Sequence, residues 1–508
     1  KDNSNQSITL PTMNRFTYFH SLAIAAVMLS FTGTLVFADP LTLIKDGQPN
    51  AEIIIAEDAS RTTRLAADDL QLTLEKISGA KLPVNTKPGG AEVTIYVGES
   101  PQLEKLGVTA EGLKHGAYRI RSGKNWLALI GDDTEFEPIE PWATNNGGRK
   151  SLQGRWEEAS GLPYGVPNGG MYKNRRRMPE HLAKEQGENF WAFDERGSYN
   201  AVCGFLRSLG VRWYMPGDLG EVIPKMNSIA LPDIDQTAEP DFEIRQFSVR
   251  LGNTDDEVTR WVMRLGIRQI YGLMIAHGMH TMTHPEKLKT DKPDWFALYG
   301  GKRDTVTGKR LNHLCYSNEE LFQETVKWAR AQFDVYDFDT VSIMPPDAYG
   351  SICQCDLCEG KQIDEMGSRG KLSNHAWDFA NRVAREVAKT HPDKLVGCCA
   401  YGANTEVPTN IEKLEPNVQV IIVGGRRPRN SLPEQREYVD NLRTGWLKKS
   451  DRPIIIFENY PFTGRGTYLP AFVARTIGES INATKGLSRG EDIWLSFPRD
   501  HDDPNIGF

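Results

Sequence analysis

The sequence is poor in cysteine and in long apolar runs, and it has no excess of positive charge. Only 7 of its 508 residues are cysteines, and the formal net charge is -7. A nucleic-acid-binding protein usually carries a basic face, so this charge balance argues against a nucleic-acid partner. The hydrophobic fraction of 39% and the charged fraction of 25% are typical of a globular protein. The length predicts two or three domains, each large enough to bury a core.

Residues 1–38 are predicted to be a signal peptide region. Arg15 follows Met13 and supplies positive charge, residues 22–37 are apolar and rich in small side chains, and Val36-Phe37-Ala38 fits a cleavage site. A single membrane anchor is the alternative, but the apolar run is short for one. No later stretch is long and apolar enough to span a bilayer. We therefore expect a secreted or periplasmic protein with no stable membrane span after cleavage.

Residues 40–235 are predicted to form a small α/β sandwich-like domain. Strands at 51–56 and 93–97 flank an amphipathic helix at 60–78, which Ser60 can cap at its start and Gly79 can end. Residues 134–196 break this pattern with many Pro, Gly, Asn and Arg residues. A long segment without periodicity inside a domain predicts an insertion.

Residues 240–508 are predicted to form a (β/α)8 barrel of the TIM type. Strand patterns alternate with helical patterns, which indicates a parallel sheet, and eight such units indicate closure. An open doubly wound sheet is the alternative, but no glycine-rich phosphate turn follows the first strand, and no Walker loop occurs. The last strand lies so close to the end of the chain that we expect a barrel truncated at its C-terminus. The eight strand candidates are 244–249, 270–275, 311–315, 340–344, 395–399, 418–423, 454–457 and 493–496.

Polar side chains stand at the carboxyl ends of these strands, where barrel enzymes collect their chemistry. Asp347 and Glu458 follow the fourth and seventh candidates. Two carboxylates across one mouth suit glycoside hydrolysis, in which one is the acid and the other the base or nucleophile. We predict both as catalytic. The residues predicted to contact substrate are Arg250, His277, His280, Tyr349, Tyr401 and Asn459.

Several of these residues also have an alternative interpretation. Asp347 could cap the following helix, and Glu458 could form a salt bridge or bind a substrate hydroxyl. His277 and His280 are three residues apart and could share a zinc ion if helical, although sugar contact or loop packing is favoured. Arg426 and Arg427 follow the sixth candidate and, with Arg250, could pair with a uronate carboxylate.

Three cysteines follow Asp347 within residues 341–358 (VSIMPPDAYGSICQCDLC), namely Cys353, Cys355 and Cys358. Cys315 ends the third strand candidate, next to the fourth, so contact is expected. The four thiols could hold a structural zinc ion or form one or two disulfides, and their spacing leaves both open. No other cofactor is predicted.

Several segments resemble known families. KPDWFALYGGKR (292–303), LNHLCYSNEELFQETV (311–326) and the 341–358 segment resemble the bacterial domain-of-unknown-function family 4838. Residues 52–84 and 197–221 (GSYNAVCGFLRSLGVRWYMPGDLGE) resemble the N-terminal α/β domain of alpha-glucuronidases and beta-hexosaminidases. Together these resemblances cover most of the chain after the signal region.

The resemblance implies a carbohydrate-active protein with an accessory domain beside a catalytic barrel. It implies a glycoside hydrolase acting on a polysaccharide or oligosaccharide, such as one with uronate or acetyl groups, and it makes Asp347 the acidic residue of the family's motif. The alternative is a non-catalytic glycan-binding or cell-surface protein on a barrel scaffold. The 134–196 insertion departs from the related accessory domains, and we expect it to reach over the barrel mouth.

Overall fold

The computed structural model describes residues 40–143, 149–167, 175–176, 190–247, 256–273, 277–283, 286–307, 311–424, 432–458 and 474–493. Contacts group the described residues from Pro40 onward into one unit, and the predicted domain boundary near residue 235 stays a prediction. None of the described helices is both long and apolar enough to cross a bilayer. The predicted signal region lies outside the described residues.

Strands of three or more residues and helices of nine or more are labelled in chain order. The strands are β1 (Leu41–Lys45), β2 (Ala51–Ile54), β3 (Val93–Val97), β4 (Tyr118–Gly123), β5 (Trp126–Gly131), β6 (Ile229–Leu231), β7 (Asp235–Ala238), β8 (Ile244–Phe247), β9 (Thr340–Ser342), β10 (Leu395–Ala400), β11 (Val418–Val423), β12 (Ile454–Glu458) and β13 (Ser488–Ile493). The helices are α1 (Arg61–Ser78), α2 (Arg149–Ser160), α3 (Gly197–Ser208), α4 (Asp256–Arg264), α5 (Glu319–Tyr336), α6 (Ser373–Ala388), α7 (Pro433–Lys449) and α8 (Ala474–Asn482).

The first half of the chain forms a mixed sheet with helices α1 and α3 packed on one face. The sheet order is β7-β4-β5-β3-β2, followed by the short strand Val84–Asn85. The Ser60 side chain accepts a hydrogen bond from the Thr63 backbone N–H at the start of α1, and Gly79 ends the helix in the left-handed conformation. The predicted α/β layer is therefore present, and its sandwich-like arrangement stays a prediction.

The second half forms a parallel sheet of six strands in the order β8-β13-β12-β11-β10-β9. Beyond β9, Leu273 forms a parallel bridge with Thr340, and Arg268 forms an antiparallel bridge with Arg245 of β8. Residues 268–273 thus lie between the two edge strands. The predicted parallel strand–helix alternation is confirmed in this region.

Alternation along the strands gives this sheet two different faces. The outer face packs against helices α5, α6 and α7, and it includes Val341, Val420 and Ile454. The inner face holds a separate cluster made of Ile244, Leu273, Met344, Cys399, Ile421 and Ile455. Some of these residues lie on strands that are not adjacent in the sheet, yet they belong to one cluster. The sheet therefore curls around them.

The third strand candidate is wrong. Residues 311–315 lie outside the parallel sheet, where Leu314 forms an antiparallel bridge with Phe296. Leu314 is buried in the cluster between the sheet and its outer helices, and Cys315 is buried beside Cys353 and Cys358, which gives the segment its strand-like apolar pattern. The last described strand is Ser488–Ile493, and the eighth candidate shares only Ile493 with it, because residues 494–496 lie outside the described residues.

The insertion packs against the outer helix α5 in its described part. The Trp156 ring of α2 stacks on the Tyr336 ring of α5, with centroids 5.9 Å apart. Trp328 donates a hydrogen bond of 2.6 Å from Nε1 to the Gly165 carbonyl. The expectation that the insertion reaches over the barrel mouth stays a prediction.

A buried ion-pair cluster joins the two halves. Asp69 of α1 is 2% exposed and lies 2.9 Å from Arg260 and 3.2 Å from Arg264, both on α4. The Tyr199 hydroxyl of α3 donates a hydrogen bond to the same carboxylate. Burial alone would raise the pKa of Asp69, but the two guanidinium groups outweigh it and lower that pKa.

Asp69→Asn should weaken the fold by about 3 kcal/mol at neutral pH, because it leaves two buried arginines without their carboxylate. Since the pKa of Asp69 is lowered on folding, its contribution is complete above about pH 4 and is lost as the pH falls through the folded-state pKa. Urea unfolding at several pH values measures this. The gap between wild type and variant should shrink below about pH 4, and a constant gap would contradict the assignment.

Two glycines allow β5 and α3 to meet backbone to backbone. A Cβ added at Gly197 would overlap backbone atoms of Gly131 and Asp132. Gly197→Ala should therefore lower the free energy of unfolding by about 1–3 kcal/mol. Gly154→Ala is the matched control, because Gly154 is an exposed position inside α2 with nothing near its Cβ, and alanine should stabilise it by up to about 1 kcal/mol. Equal effects in chemical denaturation would contradict this packing.

Candidate functional site at the strand ends

The loop after β9 carries Asp347 away from the sheet. The ladder continues as far as Ile343, whose N–H donates to the Gly397 carbonyl over 2.9 Å. Pro345 and Pro346 then follow, and proline has no N–H to extend the ladder. Asp347 turns the chain by accepting a 2.8 Å hydrogen bond at Oδ1 from the Ala348 N–H.

Asp347 meets side chains from two other strand ends. His277 Nε2 lies 3.8 Å from Asp347 Oδ1, and the Tyr401 hydroxyl donates to the same oxygen over 3.3 Å. His277 Nδ1 lies 2.6 Å from the Pro345 carbonyl. Because a carbonyl can only accept, Nδ1 carries the proton and donates it to Pro345, and Nε2 is the ring nitrogen next to Asp347. Three predicted site residues, His277, Asp347 and Tyr401, are thus brought together.

A pocket of about 420 Å³ opens beside this group. Its walls include Tyr401, Asn404 and the loop around Ala348. Arg369 and Lys371 add positive charge to the wall. The Arg369 guanidinium lies 4.8 Å from the centre of the Tyr438 ring, which holds it at the pocket edge. The volume falls within the range of small-ligand sites.

Tyr349 is buried beneath the Asp347 loop and packs against other aromatic side chains. It is 6% exposed and contacts the Tyr316 ring edge-on at 5.3 Å and the His313 ring at 5.9 Å. Burial raises the pKa of the Tyr349 phenol well above its ordinary value. His313 Nε2 also lies 3.1 Å from the Asp347 carbonyl. Tyr349 could therefore contact a substrate only through the part of its side chain that lines the pocket.

Glu458 has a different setting from Asp347. It is the last residue of β12 and is 5% exposed. Alternation places it on the same side of the strand as Ile454 and Ile456, which belong to the outer-face cluster. Its carboxylate lies directly over Gly424, where any Cβ would overlap it.

Asp492 is a carboxylate that the sequence interpretation missed. It is 1% exposed and accepts a 3.1 Å hydrogen bond from Gln246 Nε2. Its strand partner Phe457 packs with the inner-face cluster. Burial first, and then Cys398 and Asp492, raise the pKa of Cys399, so the Asp492 carboxylate influences a side chain on β10, three strands away.

The strand register gives the level of Asp492 in the sheet. Asp492 is paired with Phe457, which is paired with Val423. Tyr401 and Val423 each come directly after the Ala400–Ile422 pair, and both pack against the inner-face cluster. Asp492 is therefore in the same inner layer as Tyr401, the residue that contacts Asp347. The sequence gives no strand signal there, because residues 488–493 (SRGEDI) contain one apolar side chain and show no alternation of apolar and polar residues.

The other predicted site residues divide into two groups. Arg250 and Asn459, with Arg426 and Arg427, lie outside the described residues. His280 is half-buried in the short helix Gly278–Met282, one turn beyond His277.

The four cysteines of the predicted metal or disulfide site do come together. Their sulfur atoms all lie within 4.8 Å of one another. The four side chains are therefore close enough to share one metal ion. Cys315 Sγ lies 3.5 Å from Cys355 Sγ and 3.6 Å from Cys358 Sγ. No disulfide bond joins any two of these four cysteines.

The sequence also contains one G-x-S-x-G string, Gly486–Gly490, which in serine hydrolases can present a nucleophile at a sharp turn. Here Ser488 is the first residue of β13 and is 7% exposed. It therefore lies at the amino end of the sheet, opposite Asp347, and does not form a nucleophile elbow.

Several solved glycoside hydrolases are similar in structure at low identity. A family GH115 4-O-methyl-alpha-glucuronidase with specificity for decorated arabinogalactans has a TM-score of 0.45 at 13% identity, over 90% of this chain and 55% of that chain. The N-acetyl-beta-hexosaminidase of Streptomyces plicatus has a TM-score of 0.40 at 12% identity, over 91% of this chain and 84% of its own. The GH20 beta-N-acetylhexosaminidase of Streptomyces coelicolor A3(2) has a TM-score of 0.40 at 14% identity, over 90% of this chain and 86% of that chain. This chain thus spans little more than half of the glucuronidase.

No curated protein matches the chain. The family described as "Domain of unknown function (DUF4838)" matches residues 215–485, more than half of the sequence. That range includes β8 to β12, the Asp347 loop and all four clustered cysteines, and it confirms the resemblance found in residues 292–358. The protein belongs to the DUF4838 family.

Proposed function

We propose that this protein is a carbohydrate-active enzyme, a glycoside hydrolase in which Asp347 transfers a proton to or from the glycosidic bond. The observation that carries the proposal is the contact of one Asp347 oxygen with His277 and with Tyr401, which lines the neighbouring pocket. The Asp347 side chain is 48% exposed, so a substrate can reach it. A positioned carboxylate of this kind can serve as general acid or base.

The pocket chemistry supports an acidic glycan as the substrate. Arg369 and Lys371 lie on one wall, and a guanidinium binds a sugar carboxylate well because the two groups match in shape and charge. Tyr401 offers an aromatic face beside the catalytic oxygen. A uronate-containing polysaccharide or oligosaccharide combines both features.

We assign the second carboxylate to Asp492 in preference to Glu458. Asp492 belongs to the inner layer that also contains Tyr401, whereas Glu458 shares the face that packs against the helices. Glycoside hydrolysis needs both carboxylates to face the same sugar, about 5–9.5 Å apart. Glu458 stays the second candidate, because it stands at the end of its strand.

Export is part of the proposal. The apolar segment at residues 22–37, with the predicted cleavage site Val36-Phe37-Ala38, supports secretion or transport to the periplasm. Polysaccharides too large to enter a cell must be cut outside it, so export is consistent with a polysaccharide substrate.

Asp347→Asn should lower kcat/KM by about 100-fold or more on a cleaved glycan, because the amide cannot transfer the proton. The matched control is Asp337→Asn. Asp337 precedes β9 at the opposite end of the strand and has the left-handed conformation that asparagine also adopts. Product release from a panel of uronate-containing and neutral oligosaccharides, with circular dichroism to confirm folding, measures the effect.

The same panel separates the enzyme from a glycan-binding protein. Turnover by the wild type and the Asp337→Asn control, with loss in Asp347→Asn, supports the proposal. Binding of a glycan without product from the folded wild type would favour the non-catalytic alternative, and full activity in Asp347→Asn would remove Asp347 from the mechanism.

Asp492→Asn and Glu458→Gln distinguish the two candidates for the second carboxylate. Asp492→Asn should lower kcat by about 100-fold or more, and Glu458→Gln should lower it by less than about tenfold. Steady-state kinetics on the cleaved glycan, together with the thermal midpoint of each variant, gives the comparison. The reverse ranking in two folded variants would assign the role to Glu458.

A further inference from the structure

We propose that Cys315, Cys353, Cys355 and Cys358 bind one structural Zn²⁺ ion through four thiolates. This site is separate from the Asp347 pocket and does not depend on the proposed function. Cys315 comes from the segment after the Leu314–Phe296 bridge, and the other three come from the loop after Asp347. The ion would thus join two segments that neither a helix nor the parallel sheet connects.

The sulfur positions suit coordination by a metal better than covalent pairing. Four sulfurs at about 2.3 Å from a tetrahedral zinc ion lie about 3.8 Å from one another. The separations of 3.5 Å for Cys315–Cys355 and 3.6 Å for Cys315–Cys358 are close to that value. A disulfide would place one pair at about 2.05 Å and would bring the four sulfurs together only in twos. Instead, Cys315 has two equal neighbours.

Polar groups around the sulfurs suit a negatively charged centre. The Leu298 N–H donates to Cys353 Sγ over 3.2 Å, and Arg303 places a guanidinium nitrogen 3.9 Å from the same sulfur. The Ser317 hydroxyl lies 3.2 Å from Cys358 Sγ and accepts a hydrogen bond from Lys361. Zinc with four thiolates has a net charge of -2, and such surrounding donors and cations stabilise it.

The ligand set indicates a structural ion. Four protein ligands fill the tetrahedron and leave no position for water or substrate. Three of the sulfurs belong to buried residues, and Cys355 is partly exposed. The ion would hold the loop of residues 345–358, so that Asp347 and Tyr349 keep their positions at the pocket.

Elemental analysis of the full chain, purified without added metal, tests this directly. We expect about one zinc per chain in the wild type and less than about 0.2 in Cys353→Ser and Cys358→Ser. Cys203→Ala is the control, because Cys203 is buried in α3 away from the cluster, and it should keep its zinc. Replacement of zinc by Co²⁺ in the wild type should give the strong thiolate-to-cobalt absorption of a tetrahedral four-thiolate site, which does not require any variant to fold.

Intact mass measured under denaturing, non-reducing conditions shows whether these cysteines form disulfides instead. A wild-type chain without metal whose mass and peptides show disulfides among these four cysteines would overturn the proposal. So would a chain without metal, even after incubation with Zn²⁺, whose four thiols react freely under native conditions. Zinc that is retained in both serine variants would place the ion elsewhere.

Discussion

The parallel pairing of β8 to β13 is the constraint on which the rest of the site depends. Parallel strands all end at one edge, so the segments that follow them meet there although they are far apart in the chain. Asp347 follows β9, Tyr401 follows β10, and His277 follows the segment whose Leu273 bridges to Thr340 of β9. His277 and Tyr401 both reach the same Asp347 oxygen. Pro345 and Pro346 stop the ladder just before Asp347 and free the loop to turn towards its neighbours.

Alternation along each strand then decides which polar residues can share a substrate. Met344 and Cys399 face the inner cluster, and Tyr401 packs against it, whereas Val341 and Ile454 face the helices. A carboxylate one position further along a strand faces the opposite side. This period separates Asp492 from Glu458, two acidic residues that proximity in the sheet alone would not distinguish.

The sequence predicted well those features that depend on local signals. Ser60 and Gly79 mark the two ends of α1, and β10 and β11 are predominantly apolar runs whose burial the composition indicates. Residues 311–315 were misassigned because an apolar run has the same pattern whether it joins the parallel sheet or packs against Phe296. Asp492 was missed because its strand is polar on both faces, and its burial depends on neighbours distant in sequence. The position of the insertion on α5 depends on the contact between Trp156 and Tyr336, which no periodicity reveals.

The central claim is that His277, Asp347 and Tyr401 bind the glycan. Hydrogen–deuterium exchange of Asp347→Asn, with and without a saturating uronate-containing oligosaccharide, measures this by mapping which backbone amides the ligand protects. Protection should concentrate in peptides covering residues 277–283, 343–350 and 401–406, with little change in α1 and α3. Protection confined to the first half of the chain, with these peptides unchanged, would contradict the account.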